Sequence, residues 1–117
     1  MSAFSSPEID VGPDRAAQWL LADEGVQLID VREPYEHEAG HIEGGRHIEL
    51  ERLASLADTV ACDRPVLFYC RLGARSAMAA QAFRAAGHDA YSLAGGLQAW
   101  HARGLPLWPA DGVVAPH

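Results

Sequence analysis

The chain has 117 residues, the length of one compact domain, and its 49% of apolar residues suffices for one buried core. Its formal net charge is −7 with histidine neutral, which argues against nonspecific nucleic-acid binding. All nine basic residues are arginine, so Schiff-base and lysine general-base chemistry are excluded.

The two cysteines, Cys62 and Cys70, form neither a C-x-x-C pair nor a disulfide framework, and a reducing compartment fits them best. The start, MSAFSSPEIDVG, lacks the basic and apolar regions of a signal peptide, and no apolar run approaches a membrane span. The expectation is a cytoplasmic protein with no membrane or nucleic-acid partner. One domain over residues 1–117 is expected, with its core at about 9–107 and loosely held ends.

Ile9 to Val11 reads as a short edge strand. Gly12 and Pro13 read as an N-cap and first helical residue, opening a helix to about Asp23 that Gly25 stops. VQLIDV, Val26 to Val31, is a buried type of strand. Pro34 opens a short helix that ends at Gly40. Arg46 to Ile48 makes a small strand, and Leu50 to Ala57 a helix. PVLFYC, Pro65 to Cys70, is the strongest central strand, a continuous apolar run. A helix follows from Ala74 to Ala86, with Met78, Ala79, Ala82, Phe83 and Ala86 as its apolar stripe, and Gly87 closes it. AYSL, Ala90 to Leu93, is the next strand. Gly95 to Gly104 is the last helix, with Leu97, Trp100 and His101 on one side. Alternating strands and helices predict an α/β domain with a mostly parallel sheet. Ligands in such sheets sit at the carboxyl ends of the strands.

Two stretches compete for the chemistry. HEAGH, His37 to His41, has the letters of the zinc-protease motif H-E-x-x-H. That motif needs both histidines on one helical face, but Pro34 and Gly40 leave about a turn and a half of helix. His41 then falls past the helix end, and nothing in the sequence positions His47 as a third ligand. The reading is a structural histidine at a helix end, and no metal site.

YCRLGARS, Tyr69 to Ser76, has its context intact. Cys70 ends a central strand, Gly73 permits a tight turn, and a helix begins at Ala74 or Arg75. The sulfur therefore faces a helix N-terminus whose free N–H groups and dipole favour an anion. Arg71 and Arg75 add two positive charges. All of these favour the thiolate, the nucleophilic form of cysteine. The same cradle can hold an incoming anion. Cys62 has no such turn after it and an acidic neighbour in Asp63, so it reads as structural, with a resolving role as the lesser option.

These residues, with LIDVREPYEHEAGHIEGG and YSLAGGLQAWHARGLPL, resemble the rhodanese family of sulfurtransferases in its single-domain form, from about Val26 to Leu107. The likeness includes DVRE at Asp30 to Glu33, GHI-x-G at Gly40 to Gly44, CRLGARS at Cys70 to Ser76, and LAGGLQAW at Leu93 to Trp100. The last two letters of HEAGH begin the family's GHI-x-G motif. The resemblance implies a five-stranded, mostly parallel sheet with helices on both faces. It implies that Cys70 attacks the outer sulfur of thiosulfate or a similar donor, carries a persulfide, and passes the sulfur to cyanide, a thiol or a sulfur-relay protein. Amides of Arg71, Leu72, Gly73, Ala74, Arg75 and Ser76 would cradle that sulfur. By similarity Arg71 and Arg75 bind the anionic donor, and Ser76 caps the helix beside the sulfur. Asp30 and Arg32 stand at the site border or form a structural salt bridge. No cofactor is implied, and a monomer is the default for this size.

Two rivals remain. Phosphatases with a Cys–Arg loop place five residues between the two, whereas four lie between Cys70 and Arg75, a cradle sized for a single sulfur, which counts against a phosphatase or an arsenate reductase. A non-enzymatic binding module or a persulfide relay is the other. Leu72, where many relatives carry a polar residue, bears on substrate preference. An exposed apolar patch at Leu105, Leu107 and Trp108 would favour a protein partner.

Overall fold

Five strands, all parallel, form one sheet in the order β1-β5-β4-β2-β3 in a computed structural model that describes residues 8–22 and 25–117. The strands are β1 (Asp10–Val11), β2 (Gln27–Asp30), β3 (Arg46–His47), β4 (Val66–Tyr69) and β5 (Ala90–Leu93). The helices are α1 (Pro13–Leu21), α2 (Pro34–Ala39), α3 (Leu50–Leu53), α4 (Ala74–Ala85) and α5 (Gly96–Ala102).

Alternation along the central strands divides the core in two. Leu67 and Tyr69 of β4 point to one face, where they pack with Ala16 and Trp19 of α1 and Leu97 and Trp100 of α5. Val66, Phe68 and Cys70 point to the other, against Leu53 of α3 and Ala79, Ala80 and Phe83 of α4. β4 and β5 are buried along their whole length. A strand covered on both faces is apolar almost throughout, which is why β4 reads as an unbroken run, while β5 departs from it only at Ser92.

Pro13 opens α1 after Gly12, and Pro34 opens α2, as the sequence predicts. A capping box between Glu33 and Glu36 also fixes the start of α2. The expected end of α1 at Asp23 lies outside the described residues, and α1 is described to Leu21.

Four expectations are corrected. The helix over Leu50 to Ala57 stops at Leu53 and tightens into a 3-10 turn, Ala54–Thr59. The hydroxyls of Ser55 and Thr59 donate to the carbonyls of Arg52 and Leu56, three residues back, and such bonds favour the tighter coil. The buried face of α4 is Ser76, Ala79, Ala80 and Phe83, while Met78 is 62% exposed and Ala82 and Ala86 face solvent. Alanine on every side makes that helix nearly uniform in hydropathy, and its face is set by Ser76, a polar residue turned inward. On α5, Leu97 and Trp100 are buried but His101 is exposed. Finally, the segment after Leu107 is docked. Trp108 and His41 exchange backbone hydrogen bonds of 2.7 and 3.0 Å, Val113 N–H donates to Ala39 O at 2.9 Å, and Ala115 is buried.

Candidate active site

β4 delivers Cys70 to the carboxyl end of the sheet, and α4 begins four residues later. The residue is 1% exposed. Its Sγ takes an N–H from Gly73 at 3.0 Å and another from Ser76 at 3.4 Å, with the Ser76 hydroxyl also at 3.4 Å. These are donors of the loop and the first turn of α4, groups a helix start leaves unbonded. They stabilise negative charge on sulfur, and the helix dipole adds to it.

Gly73 makes the turn possible. Its φ of 112° lies where side chains are strained, and it is the N-cap of α4. Ser76, expected as the cap, sits instead in the first turn. Its hydroxyl reaches the Gly73 carbonyl at 3.2 Å and the Ser92 hydroxyl at 2.7 Å. Ser92 is fully buried in β5, a site residue hidden within a strand pattern. The signal was a lone polar residue inside AYSL. A proton from Ser92 to the Ser76 oxygen leaves the Ser76 proton for Gly73 or the sulfur.

α5 holds the loop from behind. Leu97 N–H donates to Cys70 O at 2.8 Å, and Gln98 N–H to Arg71 O at 3.1 Å. With both carbonyls fixed outward, the loop amides are free to turn inward. The approach is so close that a Cβ on Gly96 would stand 2.4 Å from the Arg71 backbone. The glycine pair of LAGGLQAW thus has a mechanical use that its letters did not disclose.

The two arginines behave differently. Arg75 is locked to Glu36 by two hydrogen bonds, Nη1 to Oε1 at 2.8 Å and Nη2 to Oε2 at 2.9 Å. Glu36 is fully buried in α2. Burial is the largest influence and pushes its carboxyl up, but Arg75 and the Glu33 backbone N–H together hold it below the usual carboxylate range. Arg71 has no ion pair among the described residues, and its Nε is buried with no hydrogen-bond partner there. Both line a cavity of about 270 Å³ with Cys70, Leu72, Ala74 and His117. Leu72 is 55% exposed at its mouth.

Asp30 and Arg32 do not line that cavity; they form a buried salt bridge. Arg32 donates through Nε and Nη2 to the two Asp30 oxygens at 2.9 and 2.7 Å. Nη2 also donates to Gly40 O at 2.7 Å, which fixes the end of α2. Burial is the largest influence and pushes the Asp30 carboxyl up, but Arg32 and His37 together hold it below its ordinary value.

HEAGH takes a form its letters did not predict. The His37 ring stacks on His41 at 3.9 Å and on His47 at 4.4 Å, nearly parallel to both. His37 Nδ1 lies 2.9 Å from Asp30, His41 Nδ1 lies 2.8 Å from His37 O, and His47 Nε2 lies 2.7 Å from Arg32 O. His47 is therefore firmly positioned, contrary to expectation. Parallel stacked rings cannot aim their nitrogens at one ion, so the zinc geometry is not formed. Among the described residues the converging set is Glu33, Glu36 and His117, where Arg75 already holds both Glu36 oxygens.

Cys62 is exposed, with its sulfur 3.5 Å from His88 Nε2. It precedes β4, whereas Cys70 follows it, so the two thiols lie at opposite ends of one strand. Its surface position gives it no part in the core, and it cannot resolve Cys70 within one chain.

A parallel α/β sheet that presents a buried thiol to amides at a helix start defines a protein built to hold sulfur chemistry or an anion at that point. Comparison with known proteins gives the class. Residues 13–103 match the rhodanese-like domain model, and the chain belongs to that family. It is 35% identical over 102 residues to the thiosulfate sulfurtransferase GlpE of Pseudomonas aeruginosa strain LESB58, covering 86% of this chain and 87% of that one. It is 47% identical over 75 residues to the uncharacterized protein YqhL of Bacillus subtilis, covering 63% of this chain and 60% of that one. The crystal structure of a rhodanese-related protein from Thermoplasma volcanium superposes with a TM-score of 0.79 at 25% identity, covering 86% of this chain and 97% of that one. At family level these relatives support a sulfurtransferase. No helix among the described residues is long and apolar enough to cross a membrane.

Proposed function

We propose that this protein is a thiosulfate:acceptor sulfurtransferase working through a Cys70 persulfide. The observation that carries the reading is the donor set around Sγ, two backbone amides and a hydroxyl within 3.4 Å of a buried thiol. The Cys70 thiolate attacks the outer sulfur of thiosulfate. A new S–S bond forms, the old one breaks, and its electron pair leaves with sulfite. An acceptor nucleophile, cyanide or a thiolate, then attacks the terminal sulfur, and the Cys70 thiolate departs with its electron pair. Each half-reaction balances without a cofactor, and the sequence is ping-pong.

Arg71 binds the sulfonate end of the donor, because its charge is not matched by a carboxylate among the described residues and its Nε lacks a partner. Arg75 acts through Glu36 as a fixed wall. Leu72 gives the mouth an apolar lip that suits an organic thiol or a protein carrying one. The name of the Pseudomonas relative supports the donor. The reading includes a monomer in a reducing cytoplasm, where Cys70 stays a thiol between turnovers.

The test is an intact mass after the reduced protein is incubated with thiosulfate. A gain of one sulfur atom on wild type and not on Cys70→Ser is expected. No gain on a thiol that still alkylates would overturn the thiosulfate reading. Turnover of p-nitrophenyl phosphate by the same sample would instead favour the phosphatase alternative.

A further inference from the structure

Residues 108–117 form a strap that the sulfur chemistry has not used. It starts at the bridge between Trp108 and His41 and runs along α2. Gly40, at the end of α2, has an extended φ of 173°, so its lack of a side chain serves space and not conformation. A Cβ there would stand 2.5 Å from Val113 O. Tyr35, on α2, donates its hydroxyl to Pro116 O at 3.0 Å. The strap thus reaches His117, whose Nε2 lies 3.4 Å from Glu33 Oε2.

His117 stands between two cavities. On one side is the sulfur pocket with Cys70 and Arg71. On the other is a cavity of about 330 Å³ lined by Val31, Leu50 and the carboxylates of Glu33, Glu49 and Glu51. Two residues line both, Arg75 and His117. Arg75 faces this partition with its guanidinium held by Glu36, and His117 with its ring against Glu33.

We propose that His117 is a specificity-determining residue of the sulfur pocket, completing with Arg75 a wall that shields an anionic donor from the neighbouring carboxylates. The substrate class this wall selects is a small anion with its charge at the mouth, such as thiosulfate or an organic thiosulfonate. The physical reason is simple. Arg71 is the one cation of the pocket without an ion pair among the described residues. Three carboxylates on the far side of a thin wall would cancel its pull in an open, low-salt mouth. A ring that covers Glu33, with Nε2 against its carboxylate, keeps that charge off the pocket and leaves the pocket attractive to anions. That thiosulfate is the anion rests on the sulfur-transfer reading; the selection of anions does not.

The experiment therefore has one arm that needs no turnover. Alkylation of Cys70 is timed with iodoacetate, an anion, and iodoacetamide, its neutral analogue, in a Cys62→Ser background. His117→Ala is expected to lower the ratio of the two rates about threefold or more, the effect of losing one modest polar interaction. His117→Arg, which sets a guanidinium against Glu33 in place of the ring, is expected to restore it. In the second arm His117→Ala raises the KM for thiosulfate about fivefold, while kcat/KM for uncharged dithiothreitol as acceptor is unchanged. An unchanged alkylation ratio overturns the proposal. So does an equal loss in both half-reactions, which would mean a strap that only supports the fold. A lowered ratio in a protein that never loads sulfur would keep the wall and remove thiosulfate.

Discussion

The two ends of β4 carry the same functional group in opposite states. Cys70, at the carboxyl end, is 1% exposed and receives a ring of donors. Cys62, before the amino end, is exposed and faces a single imidazole. Four strand residues at about 3.3 Å each separate the ends by more than about 13 Å, too far for a disulfide. What distinguishes them is direction. In a parallel sheet the carboxyl ends of strands meet the starts of helices, so one end gathers free N–H groups. A thiol placed there meets N–H donors because of the architecture, whatever its intrinsic chemistry.

The sharpest way to break that comparison is to exchange the thiols for hydroxyls one at a time. Cys70→Ser should reduce sulfur transfer to background, on the order of 10³-fold or more, read by thiocyanate formation from thiosulfate and cyanide. Gly96→Ala should be next. It places a methyl against the Arg71 backbone at a φ of 63°, costing at least about 2 kcal/mol in denaturant unfolding and lowering transfer tenfold or more through a displaced loop. A variant with normal activity and stability would show that α5 does not hold the cradle.

Glu36→Gln leaves Arg75 with a neutral partner. The loss expected is about 2–3 kcal/mol, below that of a fully buried pair because the Arg75 side chain is 19% exposed and can regain water. The same pair predicts acid behaviour. Glu36 and Asp30 both titrate below their ordinary values of 4.5 and 3.8. Their stabilisation is complete above about pH 5 and is lost as pH falls through the lowered folded values. Glu36→Gln should flatten that acid limb in chemical denaturation at several pH values; an unchanged slope would show that the pair contributes nothing. At the small end, Cys62→Ser should change transfer less than twofold and stability by no more than about 0.5 kcal/mol. A loss matching that of Cys70→Ser would make the two ends equivalent.

Much of the site was legible because it is local. Cys70, the turn at Gly73 and the start of α4 lie within seven residues, and strand, turn and helix signals there agree. The elements that hold this unit were harder to see. Glu36 lies 39 residues from Arg75, and nothing in its own segment points across that distance. Ser92 reads as part of a strand, and Gly96 as a helix start. HEAGH misled in the other direction: its histidines do come together, but as stacked rings braced by Asp30 and backbone carbonyls. Helix faces were misjudged at α4 and α5, where alanine and a lone histidine carry little directional signal.

The sequence alone determined the alternation of strands and helices, the burial of β4, and the placing of a thiol before a helix start. Each follows from periodicity, turn chemistry and the free amides of a helix terminus, which act over a few residues. Only the tertiary structure decided which arginine is tied up, which glycine must be bare, and that the segment after Leu107 brings His117 to line the pocket. Those outcomes depend on groups far apart in the chain meeting at hydrogen-bond or van der Waals distance. Packing selects such meetings, and no short window of sequence encodes them.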